Sequence, residues 1–178
     1  MHQTAYNVPE PPEELLRCFD ENNVEVEPRT RQWLKDNPNT LRCGVGTVWI
    51  INSRGEILCS KRSPTLHGNP NKWQTYFGGK MPVGSTPKET AIRELAEEIG
   101  IEVAPDGLFT VKESHRVGRY MIRRDGEADS FKFPDGEITE VRWMGLDDII
   151  REQRDHLDDW CNAINAEQEE SIRRWTLE

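Results

Sequence analysis

Residues 93–101 read RELAEEIGI and carry three carboxylates, Glu94, Glu97 and Glu98. At 100° per residue on a helix, the three fall within an arc of about 100°, one turn from each other. Like charges at such spacings cost an isolated helix roughly 0.2–0.5 kcal/mol per pair. Ile92, Leu95, Ala96 and Ile99 form the apolar stripe of a helix docked on a core. One face is expected to be buried and the other to gather the carboxylates. A solvated acidic face is the bland explanation. The chemical one is a hard divalent cation, Mg²⁺ or Mn²⁺, which takes oxygen ligands and offsets the repulsion. Gly78 and Gly79 stand upstream, where missing side chains let backbone come close to an ion or a phosphate.

The elements that must position these groups can be read around them. Thr86 opens TPKE, a capping-box pattern with Thr86 as N-cap, Pro87 at the first helical position and Glu89 at N3. The helix is expected over 87–99, stopped by Gly100. QTYFGGKMPVG before it reads as a short strand entering a glycine-rich turn. CGVGTVWIINSRGEILCSKR reads as a hairpin with its turn at Ser53-Arg54-Gly55. Strands are expected around 107–123, with His115 inside one, and at 138–144 after an Asp-Gly turn at 135–136. Two helices follow in the tail between Leu146 and Trp175. Residues 1–40 read as a helical arm: PPEELLRCFDENN has Leu15, Leu16 and Phe19 at helical spacing, and PRTRQWLKDNP gives a second short helix. The expectation is an α/β chain with this arm at 1–40 and the main domain at 41–178.

Net charge is −9 over 178 residues. That argues against long nucleic acid or anionic membranes as partners, though not against a small phosphorylated ligand. No apolar run approaches a membrane span, and the first residues lack the basic and apolar regions of a signal peptide. Cys18, Cys43, Cys59 and Cys161 lie far apart without zinc or disulfide spacing, so reduced thiols and a cytoplasmic location are expected.

The stretch GGKMPVGSTPKETAIRELAEEIGI, residues 78–101, resembles the Nudix box. Gly79, Arg93, Glu94, Leu95, Glu97, Glu98, Gly100 and Ile101 match at the right spacing, and Ser85 stands where the family has its first Glu. The resemblance extends loosely over about 42–155. It implies a Nudix-type α/β/α sandwich with a mixed β-sheet. It also implies hydrolysis of a diphosphate linkage in a small nucleotide or nucleotide-sugar, with Mg²⁺ or Mn²⁺. Carried across, Gly78 would offer its carbonyl and Glu94, Glu97 and Glu98 their carboxylates to the metal, with Arg93 holding the box together. Glu89, one turn before Arg93, is expected to replace the missing Glu as its partner.

A downstream base or further ligand is expected from Glu137 or Glu140, with Asp135 behind them and Glu137 favoured. Arg62 and Lys80 are the expected phosphate contacts. Among Trp73, Tyr76 and Phe77, Trp73 and Phe77 are expected at the substrate, where one ring would stack on a base or sugar. A non-catalytic nucleotide-binding sensor is the alternative function. An isopentenyl-diphosphate type isomerase is less favoured, since Cys43 and Cys59 lie away from a suitable motif. A homodimer is plausible for the family.

Overall fold

The computed structural model describes residues 11–176; the first ten residues, which carry the signal-peptide argument, lie outside that range. The sheet that organises the chain is mixed, with strand order β10-β5-β4-β9-β8. These strands are β4 (Val45–Ile51), β5 (Ile57–Arg62), β8 (Phe109–Glu113), β9 (Val117–Arg123) and β10 (Ile138–Met144). Two short strands join from the side: β6 (Trp73–Gln74) pairs with β5, and β7 (Phe77–Lys80) pairs with β4. Only β4 and β9 run parallel, from Val45↔Val117 to Ile51↔Arg123.

Alternation along β4 decides the layers. Val48 and Ile50 join the cluster under helix α2 (Pro87–Ile99), with Ala91, Leu95, Tyr120 and Ile122. Trp49 and Ile51 face the other way, toward Ile149 of α3 (Leu146–Asp155) and Ile172 of α4 (Ala166–Thr176). The result is the expected α/β/α sandwich. Among the described residues no helix is long and apolar enough to cross a membrane.

The 43–62 hairpin is splayed. β4 and β5 meet only at Ile51↔Ile57, after which β7 takes over that edge of β4, from Val48↔Phe77 to Val45↔Lys80. β5 goes on with β10 and β6 instead. The glycines expected in a turn therefore lie within strand β7. His115 stands in the bend between β8 and β9, not in a strand; its Nε2 lies 2.9 Å from the Asn23 carbonyl.

The N-terminal region corrects the expectation of a helical arm. Leu15–Phe19 forms β1 and Glu25–Thr30 forms β2, in a sheet of order β2-β1-β3 with β3 at Arg42–Cys43. Only the second expected helix is present, as α1 (Arg31–Asp36). Leu16 and Cys18 turn inward and are fully buried while Leu15 is exposed, a period of two rather than 3.6. Long-range pairing fixes the choice: Arg17 N–H donates to the Met81 carbonyl at 2.9 Å, and Val83 N–H to the Leu15 carbonyl at 3.0 Å.

Candidate metal and active site

Helix α2 is held at its start by its own sequence. Thr86 Oγ1 accepts the Glu89 N–H at 3.2 Å, and the Glu89 carboxylate accepts the Thr86 N–H at 2.8 Å. The reciprocal cap is the one read from TPKE, and Gly100 ends the helix in the left-handed conformation at φ 69°. Thr86→Ala is expected to lower stability by about 1 kcal/mol, measured as a shift of the urea midpoint at constant slope. Glu89 is thereby committed to the cap. The expected Glu89–Arg93 pair is replaced: Arg93 Nη2 lies 2.6 Å from Glu94 Oε1 and its Nε 3.4 Å from Glu97 Oε2. Ser85 gives its carbonyl to Arg17 Nη1 at 3.1 Å.

The three glutamates do not share one solvent face. Glu94 and Glu98, one turn apart, lie on the buried flank of α2 at 8% and 2% exposure, beside Ala91 and Leu95. Glu97 projects outward, with its side chain about half exposed. Room for the buried pair comes from β7. A Cβ on Gly79 would stand 2.5 Å from the Glu94 carboxylate, so a missing side chain makes the space that the carboxylate fills. Glu98 Oε2 accepts the Gly78 N–H at 2.9 Å.

Burial pushes the Glu98 carboxyl well above the usual carboxylate range, and the neighbouring charge of Glu94 pushes the same way. The Gly78 hydrogen bond opposes the shift, while Glu137 and Asp135 add to it. Those two belong to a turn pinned beside the helix. Asp135 N–H donates to the Glu97 carbonyl at 3.3 Å, Glu137 N–H donates to Asp135 Oδ1 at 2.8 Å, and Ser63 N–H donates to the Glu137 carbonyl at 2.7 Å.

Beside this acidic corner opens a cavity of about 1070 Å³. Its lining includes Arg62 at the end of β5, Gln74 of β6, Tyr76, and Gly78 and Gly79 of β7. Glu94, Glu137, Asp135 and Lys80 also line it, so the cavity gathers Arg62, Gly78, Lys80, Glu94 and Glu137 of the expected site, while Arg93, Glu97 and Glu98 stand outside its lining. Glu140 is not in the lining; it sits exposed on β10 opposite Lys61.

Two expected substrate contacts are corrected. Phe77 is 0% exposed in the core under α2, because its place opposite Val48 turns it toward that helix. Trp73 packs in the other core with Trp160, and the Arg142 guanidinium sits 4.0 Å from its ring centroid. Of the three aromatics, Tyr76 alone reaches the cavity. Its hydroxyl accepts from Asn162 Nδ2 at 3.2 Å, and burial pushes that hydroxyl upward from its ordinary pKa. Arg31, Lys35 and Arg116 line the cavity without a spacing signal that could have marked them.

The NUDIX domain pattern matches residues 40–161. An uncharacterized Nudix hydrolase of Clostridium acetobutylicum is 24% identical over 87% of this chain and 79% of its own length. The 8-oxo-dGTP diphosphatase of Escherichia coli is 32% identical over 53% of this chain, and the match spans about six-tenths (59%) of that enzyme. The crystal structure of DR0079 from Deinococcus radiodurans superposes with a TM-score of 0.65 at 23% identity, over 90% of this chain and 98% of that one. That likeness is one of fold.

Proposed function

From the premise that the chain belongs to the NUDIX domain family of hydrolases, we propose that it hydrolyses a diphosphate linkage in a small nucleotide or nucleotide-sugar, with Mg²⁺ or Mn²⁺. The observation that carries this reading is the buried pair Glu94 and Glu98 under the glycines of β7, with Glu94 at the wall of a cavity that Lys80 and Arg62 also line. Two desolvated carboxylates whose charges oppose each other suit a hard divalent cation, and the oxygen-only donor set excludes the softer metals. Among the described residues no three acidic side chains already converge on one point. Glu94 is turned to Arg93 and Glu98 to the Gly78 N–H, contacts that would give way to a bound ion.

On this reading Glu94, Glu98 and the Gly78 carbonyl would hold the metal, together with Glu97. Once bound, such an ion polarises a phosphoryl oxygen and lowers the pKa of a water. Arg93 positions Glu94. Glu137 takes the proton of the attacking water as its oxygen bonds to phosphorus and the bridging P–O bond breaks. Lys80 and Arg62 offset charge on the phosphates, and Tyr76 offers the face on which a base or sugar stacks.

A panel of nucleoside triphosphates, nucleotide sugars, dinucleoside polyphosphates and ADP-ribose, incubated with Mg²⁺ or Mn²⁺, tests the proposal. The expected result is two phosphorylated products of one substrate, identified by mass and abolished by chelation. Tight binding of a panel member with no turnover would replace the hydrolase with the nucleotide sensor.

A further inference from the structure

Three cations that line the cavity, from three different elements, have no acidic partner among the described residues. Lys35 on α1, Lys80 on β7 and Arg116 before β9 all line it, and none forms an ion pair there. Of the other lining cations two are ion-paired, and Arg62, also without an acidic partner, is held by two neutral oxygens. Arg31 Nη2 lies 2.6 Å from Glu14, Arg119 Nη1 lies 3.7 Å from Glu167, and Arg62 donates to the Gly68 carbonyl and to Gln74.

The backbone brings two of the three together, and Lys35 stands one turn along α1 from Arg31 on the same cavity wall. Lys80 pairs with Val45, and Val45 N–H donates to the Arg116 carbonyl at 2.8 Å. Arg116 Nη1 reaches the Cys43 carbonyl at 3.5 Å, and the Cys43 thiol feels the positive fields of both Lys80 and Arg31. In a chain of net charge −9, uncompensated positive charge gathered in a concavity departs from the average surface.

The wall carrying Lys35 lies before residue 40, outside the matched family region, yet it is fixed in place. Arg31 N–H donates to the Glu14 carbonyl and Gln32 N–H to the Pro12 carbonyl, both at 2.9 Å, and Gly44 N–H donates to the Arg17 carbonyl at 3.0 Å.

We infer that Lys35, Lys80 and Arg116 form an anion subsite for a terminal phosphate of the substrate, supplied in part by the N-terminal sheet and distinct from the carboxylate pair. This rests on the diphosphate reading above and narrows it. The favoured ligands carry a phosphate beyond the linkage that is cut, whereas a neutral sugar there would leave the three cations unanswered. That phosphate is either the end of a polyphosphate chain or a phosphate on the second moiety.

The test is titration calorimetry of the full chain in EDTA with inorganic tripolyphosphate and with inorganic phosphate. Wild type is compared with Lys35→Ala/Arg116→Ala, and circular dichroism checks that the double variant is folded. The dissociation constant for tripolyphosphate is expected to rise about ten- to hundredfold in the variant. Tripolyphosphate bound well above inorganic phosphate identifies a chain end; equal affinities identify a lone phosphate group. Unchanged affinity in the variant, or no binding to the wild type, overturns the subsite. Because binding is read in EDTA and needs no turnover, the result is independent of whether hydrolysis itself is found.

Discussion

Glu98→Gln is expected to lose about 10²- to 10³-fold in turnover and yet, in metal-free buffer at pH 8, to melt at a higher temperature than the wild type. Both effects come from one carboxylate. Glu98 is almost fully buried beside Glu94, and burial followed by that neighbouring charge raises its pKa far above the ordinary 4.5. The unfolded chain releases this proton near the ordinary value, whereas the folded chain keeps it to higher pH. Between those two points the native state binds more protons than the unfolded one, so wild-type stability falls as pH rises through the window. Glutamine has no proton to lose, and its amide oxygen still accepts the Gly78 N–H. The two proteins should melt alike below the ordinary carboxylate range, and the variant should pull ahead as pH increases.

Calorimetric scans from pH 4 to 8 in EDTA check the direction. Mn²⁺ should then raise the melting temperature of the wild type and leave that of the variant nearly unmoved, because a ligand stabilises only the state that binds it. A variant less stable than wild type at pH 8 would mean that Glu98 supports the fold as an anion. The case for a site awaiting a cation would then lose its main support. An active site that costs stability in its empty form is the common outcome when function needs a charge where the core does not.

Helix α2 was legible because its signals are local. Thr86, Pro87, Glu89 and Gly100 act within one turn of themselves, and the structure realises each of them. The burial of Glu94 and Glu98 was not legible. Helical spacing alone puts them with Glu97 on an acidic face, and what draws them inward is the missing side chain of Gly79 on another element. The same reasoning covers Phe77, which was expected at the substrate while the glycines after it read as a turn. Once Phe77 is paired with Val48 inside β7, the pleat decides its direction. Leu15, Leu16 and Phe19 fit a helix by spacing, but β1 pairs with β2 on one side and on the other takes partners from β3 and from residues 81–83, more than twenty positions away. The cavity cations outside the box, Lys35 and Arg116, line one cavity for this same reason: contacts distant in sequence, not a motif, place the segments that carry them.

Two alanines placed on paired glycines are expected to separate fold from chemistry. Gly46 and Gly79 face each other across β4 and β7, and neither has a positive φ that would strain an alanine. At Gly46 the new methyl would stand 2.1 Å from the Pro87 carbonyl oxygen and 2.7 Å from the Ala91 nitrogen, both backbone atoms of α2. A helix cannot yield locally, so it must lift from the sheet. Gly46→Ala is expected to cost about 1–3 kcal/mol or more in stability. At Gly79 the atoms nearest the methyl all belong to the Glu94 carboxylate, the first at 2.5 Å, the far end of a side chain that can rotate away. Gly79→Ala should therefore fold nearly as stably as wild type. Its Glu94 must move, and a displacement of about 1 Å at a reacting centre can cost about 10²-fold in rate. Denaturant midpoints, kcat/KM on the best substrate of the panel and calorimetric Mn²⁺ affinity give the comparison. Wild-type kcat/KM and Mn²⁺ affinity in Gly79→Ala would show that Glu94 does its work from elsewhere, and the buried pair beneath β7 would no longer be the centre of the site.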